Sequence, residues 1–506
     1  MTRRVPSILI ALPGLCALAL VLRDPTKIQL AILTIPVILL SWIGIARRYT
    51  IGALCALVFV FMTANVRLGV ARMGVDNAGG IRGWLYLGDV LSFGLVLATL
   101  FKRSVVRRRP HRFATLPIVL MMPYVLLSMA LPVCGVAAHE LPPSYALPAV
   151  RGIQWLSLAY VAYSVAQQRG VSVARSLSRT IMAVAVPHGV YALLQLGYYQ
   201  FGVVPSALLA WDDQYVTHNF AGVTDNSWFG WRATGLQVNP NLYGLIASLV
   251  MVAILAATLV DSRKSRVLAY VSSMACIAGI LLSGSRTAVV MLIAASIGGT
   301  AVLVRRRGSL RNWSLAIGVI VVCIVVTGSV GTLWNGTYLS SRFGDALLSL
   351  DGLRMDKTVL ARQEVWDELA SSVQNYPLGT WAPPGYMFRY AVDSMYVQTA
   401  VQGTVFYTAT LIVFAIGAIL LGWRCFTANR KGPAAWSGLC LAGWSLAAGI
   451  ASISMGAFNN GEVCVPFAAL CGCTLALSGG ARVGALLLRG RLYTLSNDRT
   501  PTCSRA

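Results

Sequence analysis

The chain reads as an all-α, polytopic membrane protein. Hydrophobic residues make up 57% of its 506 positions and charged residues only 11%, where a soluble chain carries about 25% charged residues. Mean hydropathy is +0.69. Apolar runs of roughly 17–25 residues, enough to cross a bilayer, recur from end to end. The runs are continuous rather than alternating, which argues against a transmembrane β-barrel.

About fourteen helices (twelve to fourteen) are expected, at approximately 6–22, 28–45, 51–66, 84–101, 114–136, 150–166, 180–201, 239–260, 267–282, 287–304, 313–334, 397–423, 434–454 and 463–480. The first run follows Met1-Thr-Arg-Arg4 like a signal peptide. No small-residue cleavage site follows it and many more spans do, so it is read as a helix. Only Ser283 to Arg286 separates the ninth and tenth spans, which suits a kinked hairpin. Pro117, Pro123 and Pro187 fall inside spans, where neighbouring helices re-satisfy the freed backbone. Most of the eleven cysteines, among them Cys16, Cys55, Cys276, Cys323 and Cys471, lie in apolar segments. Without paired metal spacing they read as small membrane-embedded residues.

The formal charge of +24 would point to nucleic acid in a soluble protein. In a polytopic one, Lys and Arg mark cytoplasmic loops. With the N-terminus placed in the cytoplasm, 28 of the 41 basic residues fall in the cytoplasmic segments, and the bias holds at every turn. Both termini are therefore expected inside, with the long loops 202–238 and 335–393 outside. The second loop is nearly neutral, which removes support for a nucleic-acid partner.

Candidate chemistry sits in four places. Arg286, in Leu281-Leu-Ser-Gly-Ser-Arg-Thr287, is a lone cation between two apolar spans. Such a group either snorkels to the headgroups or faces a cavity or partner. Ser283, Gly284 and Ser285 beside it allow close helix approach and supply donors for an anionic group. Asn239-Pro-Asn241 opens the eighth span as a cap and first turn, and such a start also points backbone donors at any anion. Arg232 and His218 lie in the preceding loop among Trp211, Tyr215, Trp228, Phe229 and Trp231. These aromatics form either an interfacial belt or stacking surfaces for sugar rings. In the loop 335–393, residues 358–375 have one apolar face, Leu360, Val365, Trp366, Leu369 and Val373, expected to lie along the membrane; Pro377 and Gly379 end it. That loop also holds Arg354, Arg362 and Arg389. Asp393-Ser-Met-Tyr396 heads the twelfth span, where Asp393 is either an acidic cap or a base. His188, inside the seventh span, reads as a satisfied membrane histidine. No Walker loop, zinc pattern or GxSxG elbow is present, and no metal site is expected.

In this order, Asn239-Pro-Asn241, Ser283-Gly-Ser-Arg286, Arg362-Gln-Glu-Val-Trp366, Pro377-Leu-Gly379 and Asp393-Ser-Met-Tyr396, the set resembles the O-antigen ligase and polymerase superfamily over roughly residues 230–425. The resemblance implies a GT-C-like helical bundle whose long periplasmic loop contains an amphipathic helix. N-terminal helices would occupy 1–230, the core 231–425, and C-terminal helices with a cytoplasmic tail 426–506. It implies a bacterial inner-membrane enzyme needing no cofactor, which takes a glycan from undecaprenyl pyrophosphate. Membrane lipid and a chain-length regulator protein are the implied partners. A family ligase has His at the head of this late span. Asp393 stands here instead, which favours a polymerase of O-antigen, capsule or exopolysaccharide repeats over a ligase acting on lipid A–core. The implied catalytic residues are Asp393 and Arg286. Arg232, Asn239, Asn241, Ser285, Arg354, Arg362, Arg389, Tyr396 and His218 are implied in pyrophosphate or glycan binding. A lipid-linked oligosaccharide flippase is the alternative from another class.

The topology is checkable by fusing reporters to truncated chains. Alkaline phosphatase joined after residue 220 or 350 is expected to be active. Green fluorescent protein joined after residue 108 or 308 is expected to fluoresce. The opposite pattern would invert the assignment.

Overall fold

A computed structural model describes residues 12–17, 28–63, 67–71, 83–101, 115–141, 146, 148–209, 232–237, 239–260, 266–305, 364–365, 367, 369, 375–382, 394–429 and 431–478. The eleventh expected span and the segment 358–375, except Glu364, Val365, Asp367, Leu369 and Asn375, lie outside that set. Described helices are α1 (Ile28–Arg48), α2 (Thr50–Thr63), α3 (Leu87–Leu100), α4 (Thr115–Ala138), α5 (Ala149–Arg169), α6 (Val171–Tyr199), α7 (Pro240–Leu259), α8 (Arg266–Ser283), α9 (Arg286–Arg305), α10 (Met395–Asn429), α11 (Gly432–Ala451) and α12 (Gly461–Ser478). Six of them, α4, α6, α7, α10, α11 and α12, are long and apolar enough to cross a membrane, and α2, α3 and parts of α8 and α9 are shorter apolar helices. The protein is a membrane-embedded helical bundle.

Three details depart from the sequence reading. Between α2 and α3 the chain is not all loop: β1 (Arg67–Ala71) and β2 (Gly83–Tyr86) pair antiparallel, Val70 opposite Trp84. Backbone leaving two adjacent helix ends thus finds partners in itself. The seventh span begins at Val171 rather than 180, because Val173, Ala174 and Leu177 are buried and extend the packed face. The twelfth span is not one helix. Gly403 (φ −146°) and Thr404 (φ 64°) break α10, leaving a short first segment and a second of about 25 residues, enough by itself to cross a bilayer.

α7 is the centre. Sixteen of its twenty residues are buried; it packs on α6, α8, α9 and α11. Two indoles of α11 reach it: Trp436 Nε1 donates to Ala253 O at 2.9 Å and Trp444 Nε1 to Leu249 O at 2.7 Å. Both tryptophans are fully buried, so each N–H needs such a carbonyl. The same core extends across α4, α5, α10 and α12 through rings: Tyr124 and Tyr407 stack with centroids 5.6 Å apart, and Phe414 touches Tyr124, Trp155, Phe458 and Phe467.

Glycine sets the closest crossings. At Gly438 a Cβ would strike Gly422 O in α10, and at Gly472 one would strike Ala159 O in α5. Helices in lipid associate largely through such close packing. Gly438→Val should cost about 1–3 kcal/mol of overpacking and lower the melting temperature in detergent by several degrees. Gly52→Ala, whose Cβ would meet only Tyr49 Cβ at 3.8 Å, should leave it unchanged or raise it. Thermal unfolding of the purified variants followed by tryptophan fluorescence measures both.

Candidate functional site

One end of the bundle gathers the starts of α7, α9 and α10. Asn239 is extended (φ −149°, ψ 156°) and caps α7, its Oδ1 accepting from Leu242 N at 2.8 Å, with Pro240 in the first turn. Asn241, in the same turn, accepts at Oδ1 from Arg232 Nη2 at 2.8 Å. Arg232 is only 6% exposed, and its Nε donates to Ser283 O at 2.6 Å. Beside it Ala233 N donates to Leu282 O at 2.9 Å. The last carbonyls of a helix have no partner within it; at the end of α8 two of them are met by Arg232 and Ala233.

From there the chain turns sharply into α9. Gly284 takes φ 58°, a conformation that glycine reaches without penalty. Ser285, 3% exposed, accepts at Oγ from Ala288 N at 3.4 Å as the cap of α9. The turn rests on α7 at Gly244, where a Cβ would lie 2.6 Å from Ser285 Cβ.

The segment after α11 fastens α9 to α10. Thr287 Oγ1 and Ser454 Oγ are 2.7 Å apart, and Ser452 O accepts from Met395 N at 2.8 Å. Ser394 Oγ accepts from Val397 N at 3.4 Å and so caps α10. Tyr396 OH donates to Gly449 O at 2.8 Å, which commits that hydroxyl to the α10–α11 contact.

Segment 233–237 leaves none of its N–H groups open. Thr234 N and Gly235 N each donate to Gln195 Oε1 at 3.0 Å, and Leu236 N donates to His188 Nδ1 at 3.1 Å. Gln237 N donates to Thr234 O at 3.0 Å. Since Nδ1 of His188 accepts, its proton sits on Nε2, which donates to Met62 O at 2.6 Å. The histidine is structural, as the sequence suggested. Gln237 Nε2 holds the other side, donating to Met62 O at 2.9 Å.

The turn 376–382 closes the break in α10. Gly379 (φ 84°) lies against the Gln402 carbonyl. Thr380 N donates to Val401 O at 2.9 Å and Trp381 N to Gln402 O at 2.8 Å, so the turn takes carbonyls next to the break. His139 Nε2, beyond the end of α4, donates to Thr380 O at 2.9 Å. Trp381 and Thr404 both carry positive φ, 57° and 64°; each costs about 1–3 kcal/mol and persists only where its surroundings impose it.

The structure thus brings together Arg232, Asn239, Asn241 and Ser285, and places Tyr396 across the Ser452–Ser454 seam from them. Arg286 opens α9 at the same end; its side chain, and Asp393, Arg354, Arg362, Arg389 and His218 altogether, lie outside the described residues. A second polar cluster joins the starts of α3, α5 and α12. Arg151 Nη1 donates to Asp89 Oδ1 at 2.8 Å and to Gln154 Oε1 at 2.6 Å, while Gln154 Nε2 donates to Asp89 Oδ1 at 2.7 Å. Glu462 also acts on Arg151 electrostatically. Charges at the heads of three apolar spans were its sequence signal, but nothing local pairs residues 62 apart.

No protein-family model matches the chain, and no curated protein is similar to it.

The cluster makes a prediction about stability. Removing one member of a partly buried ion pair strands the other, whereas apolar replacement of both is close to neutral. The Asp89 and Arg151 side chains are 18% and 25% exposed, so the effect is moderated by solvent. Arg151→Leu should lower the melting temperature by several degrees, and adding Asp89→Leu should restore most of it. A double-mutant cycle in detergent reads the coupling, expected at about 1–2 kcal/mol.

Proposed function

We propose that the chain is a glycan polymerase of the O-antigen ligase and polymerase type. In this reading it lies in a bacterial inner membrane, with about fourteen spans in a GT-C-like bundle. It joins undecaprenyl-pyrophosphate-linked repeats at the periplasmic face. The observation that carries the reading is Arg232: it ties Asn241 to Ser283 and so brings two of the motifs behind the resemblance into one cluster. The start of the span after the long loop joins them through Ser452 and Ser454. Helix N-termini carry partial positive charge and unsatisfied N–H groups. The starts of α7 and α9 beside a buried guanidinium, with the start of α10 joined to them across the Ser452–Ser454 seam, suit a pyrophosphate.

The reaction needs little else. A hydroxyl of the acceptor sugar attacks C1 of the donor, its proton passing to the Asp393 carboxylate. The bond from C1 to the pyrophosphate oxygen breaks, and its electron pair leaves on the lipid pyrophosphate. Fixed cations at Arg232 and Arg286, with one of Arg354, Arg362 or Arg389, offset that growing charge. Pyrophosphate is a good leaving group, so no acid partner for Asp393 is demanded.

The flippase reading draws on the broken helix α10, because broken helices form the sites of many transporters. Those breaks lie at the bilayer midplane, whereas this one lies about 12 Å from the helix start with its carbonyls taken by the turn 376–382.

Asp393→Ala and Arg286→Ala should each reduce the multimer ladder on a glycan gel to single repeats, with about 10²-fold or greater loss of turnover on a defined lipid-linked repeat. Normal ladders from both variants would overturn the reading. Transfer to lipid A–core in place of a ladder would identify a ligase.

A further inference from the structure

We propose that Gln195 and His188 are positioning residues that set Arg232 for the pyrophosphate of the donor. The proposal rests on the transfer reading above and adds to it the groups that hold the cation in place. Both lie on α6, seven residues apart and therefore on one face, with exposures of 2% and 1%. An amide and an imidazole buried in an apolar helix are costly unless bonded. Here each bonds backbone that no helix satisfies. Gln195 uses both ends of its amide: Oε1 accepts the two N–H groups of Thr234 and Gly235, and Nε2 donates to Thr234 Oγ1 at 2.8 Å. His188 takes the next N–H, that of Leu236.

Three consecutive backbone donors are therefore held from α6, beginning two residues after Arg232, whose guanidinium joins α7 to α8. An apolar side chain at position 195 would fill the space but leave two buried N–H groups unpaired, and the segment would shift to recover them. Arg232 lies two residues upstream and would shift with it. A displacement near 1 Å is enough to cost a fixed cation much of its effect on a bound anion. They act on Arg232 through the main chain that they hold.

The test uses full-length protein in lipid nanodiscs, with undecaprenyl pyrophosphate lacking any sugar as the binding probe and a lipid-linked repeat for turnover. Gln195→Met should weaken probe binding about ten-fold or more and raise the donor KM similarly, with kcat within about two-fold of wild type. Gln195→Glu keeps acceptor oxygens for both N–H groups and should recover most of the binding. Thr234→Val, which removes the partner of Gln195 Nε2 together with the longer bond from Thr234 Oγ1 to Gly235 O at 3.3 Å, should weaken binding about three-fold. It serves as the deciding variant if Gln195→Met does not fold. Wild-type affinity in whichever of Gln195→Met and Thr234→Val is folded, or a fall in kcat at unchanged KM, would overturn the proposal. A wild-type protein that turns over the donor while Gln195→Met binds normally sinks the positioning role alone. A wild-type protein that neither binds the probe nor uses the donor sinks the transfer reading and this proposal with it.

Discussion

A main chain that leaves a helix among apolar neighbours must find partners for its N–H and C=O groups within the protein. That constraint organises one whole end of this bundle. The carbonyls at the end of α8 are met by Arg232 and Ala233. The N–H groups after Ala233 are met by side chains of α6. The break in α10 brings its carbonyls to a turn that supplies two N–H groups. Each irregular segment is thereby locked to a regular one, and the polar side chains doing so are buried for that purpose.

The same constraint explains why the polar groups divide into two clusters. Around Arg232, the Ser283 carbonyl and the Asn241 amide oxygen orient the guanidinium. Around Arg151 the partners include Asp89, with Glu462 close enough to act on it, and the cluster has the character of a brace across the starts of α3, α5 and α12. Both clusters lie at the end where helices begin. The first adjoins helix N-termini that are joined through the short stretch Ser452–Ser454.

The apolar runs made most of the helices readable, because twenty or so consecutive apolar residues have few alternatives. The Asn239-Pro240 start was equally plain, since cap and first-turn preferences are local. What lay out of sight was decided at a distance. The break in α10 had a single cue, Gly403 in an apolar run, and it becomes a break only because the turn 376–382 takes the adjacent carbonyls. The strand pair at 67–86 lacks the apolar alternation that would announce it. Tyr396 looked like a binding group by position, yet its hydroxyl serves the α11 main chain. Gln195 and His188 did leave a trace: two polar residues seven apart in the otherwise largely apolar stretch 181–197 mark a face that meets something polar.

α7 carries a consequence for how the protein is made. Its neighbours on one side, α6, α8 and α9, are synthesised close to it in time, but α11 is not: Trp436 and Trp444 bond to carbonyls 183 and 195 residues earlier in the chain. For most of translation α7 must therefore sit in the bilayer with that side against lipid, which its near-uniform apolar composition permits. The late arrival of α11 then displaces lipid from α7, and the same helix brings Ser452 and Ser454 to the starts of α9 and α10. Enclosure of the central helix and completion of the end that holds Arg232 are one event, so a ribosome that stops short of α11 releases helices without a workplace.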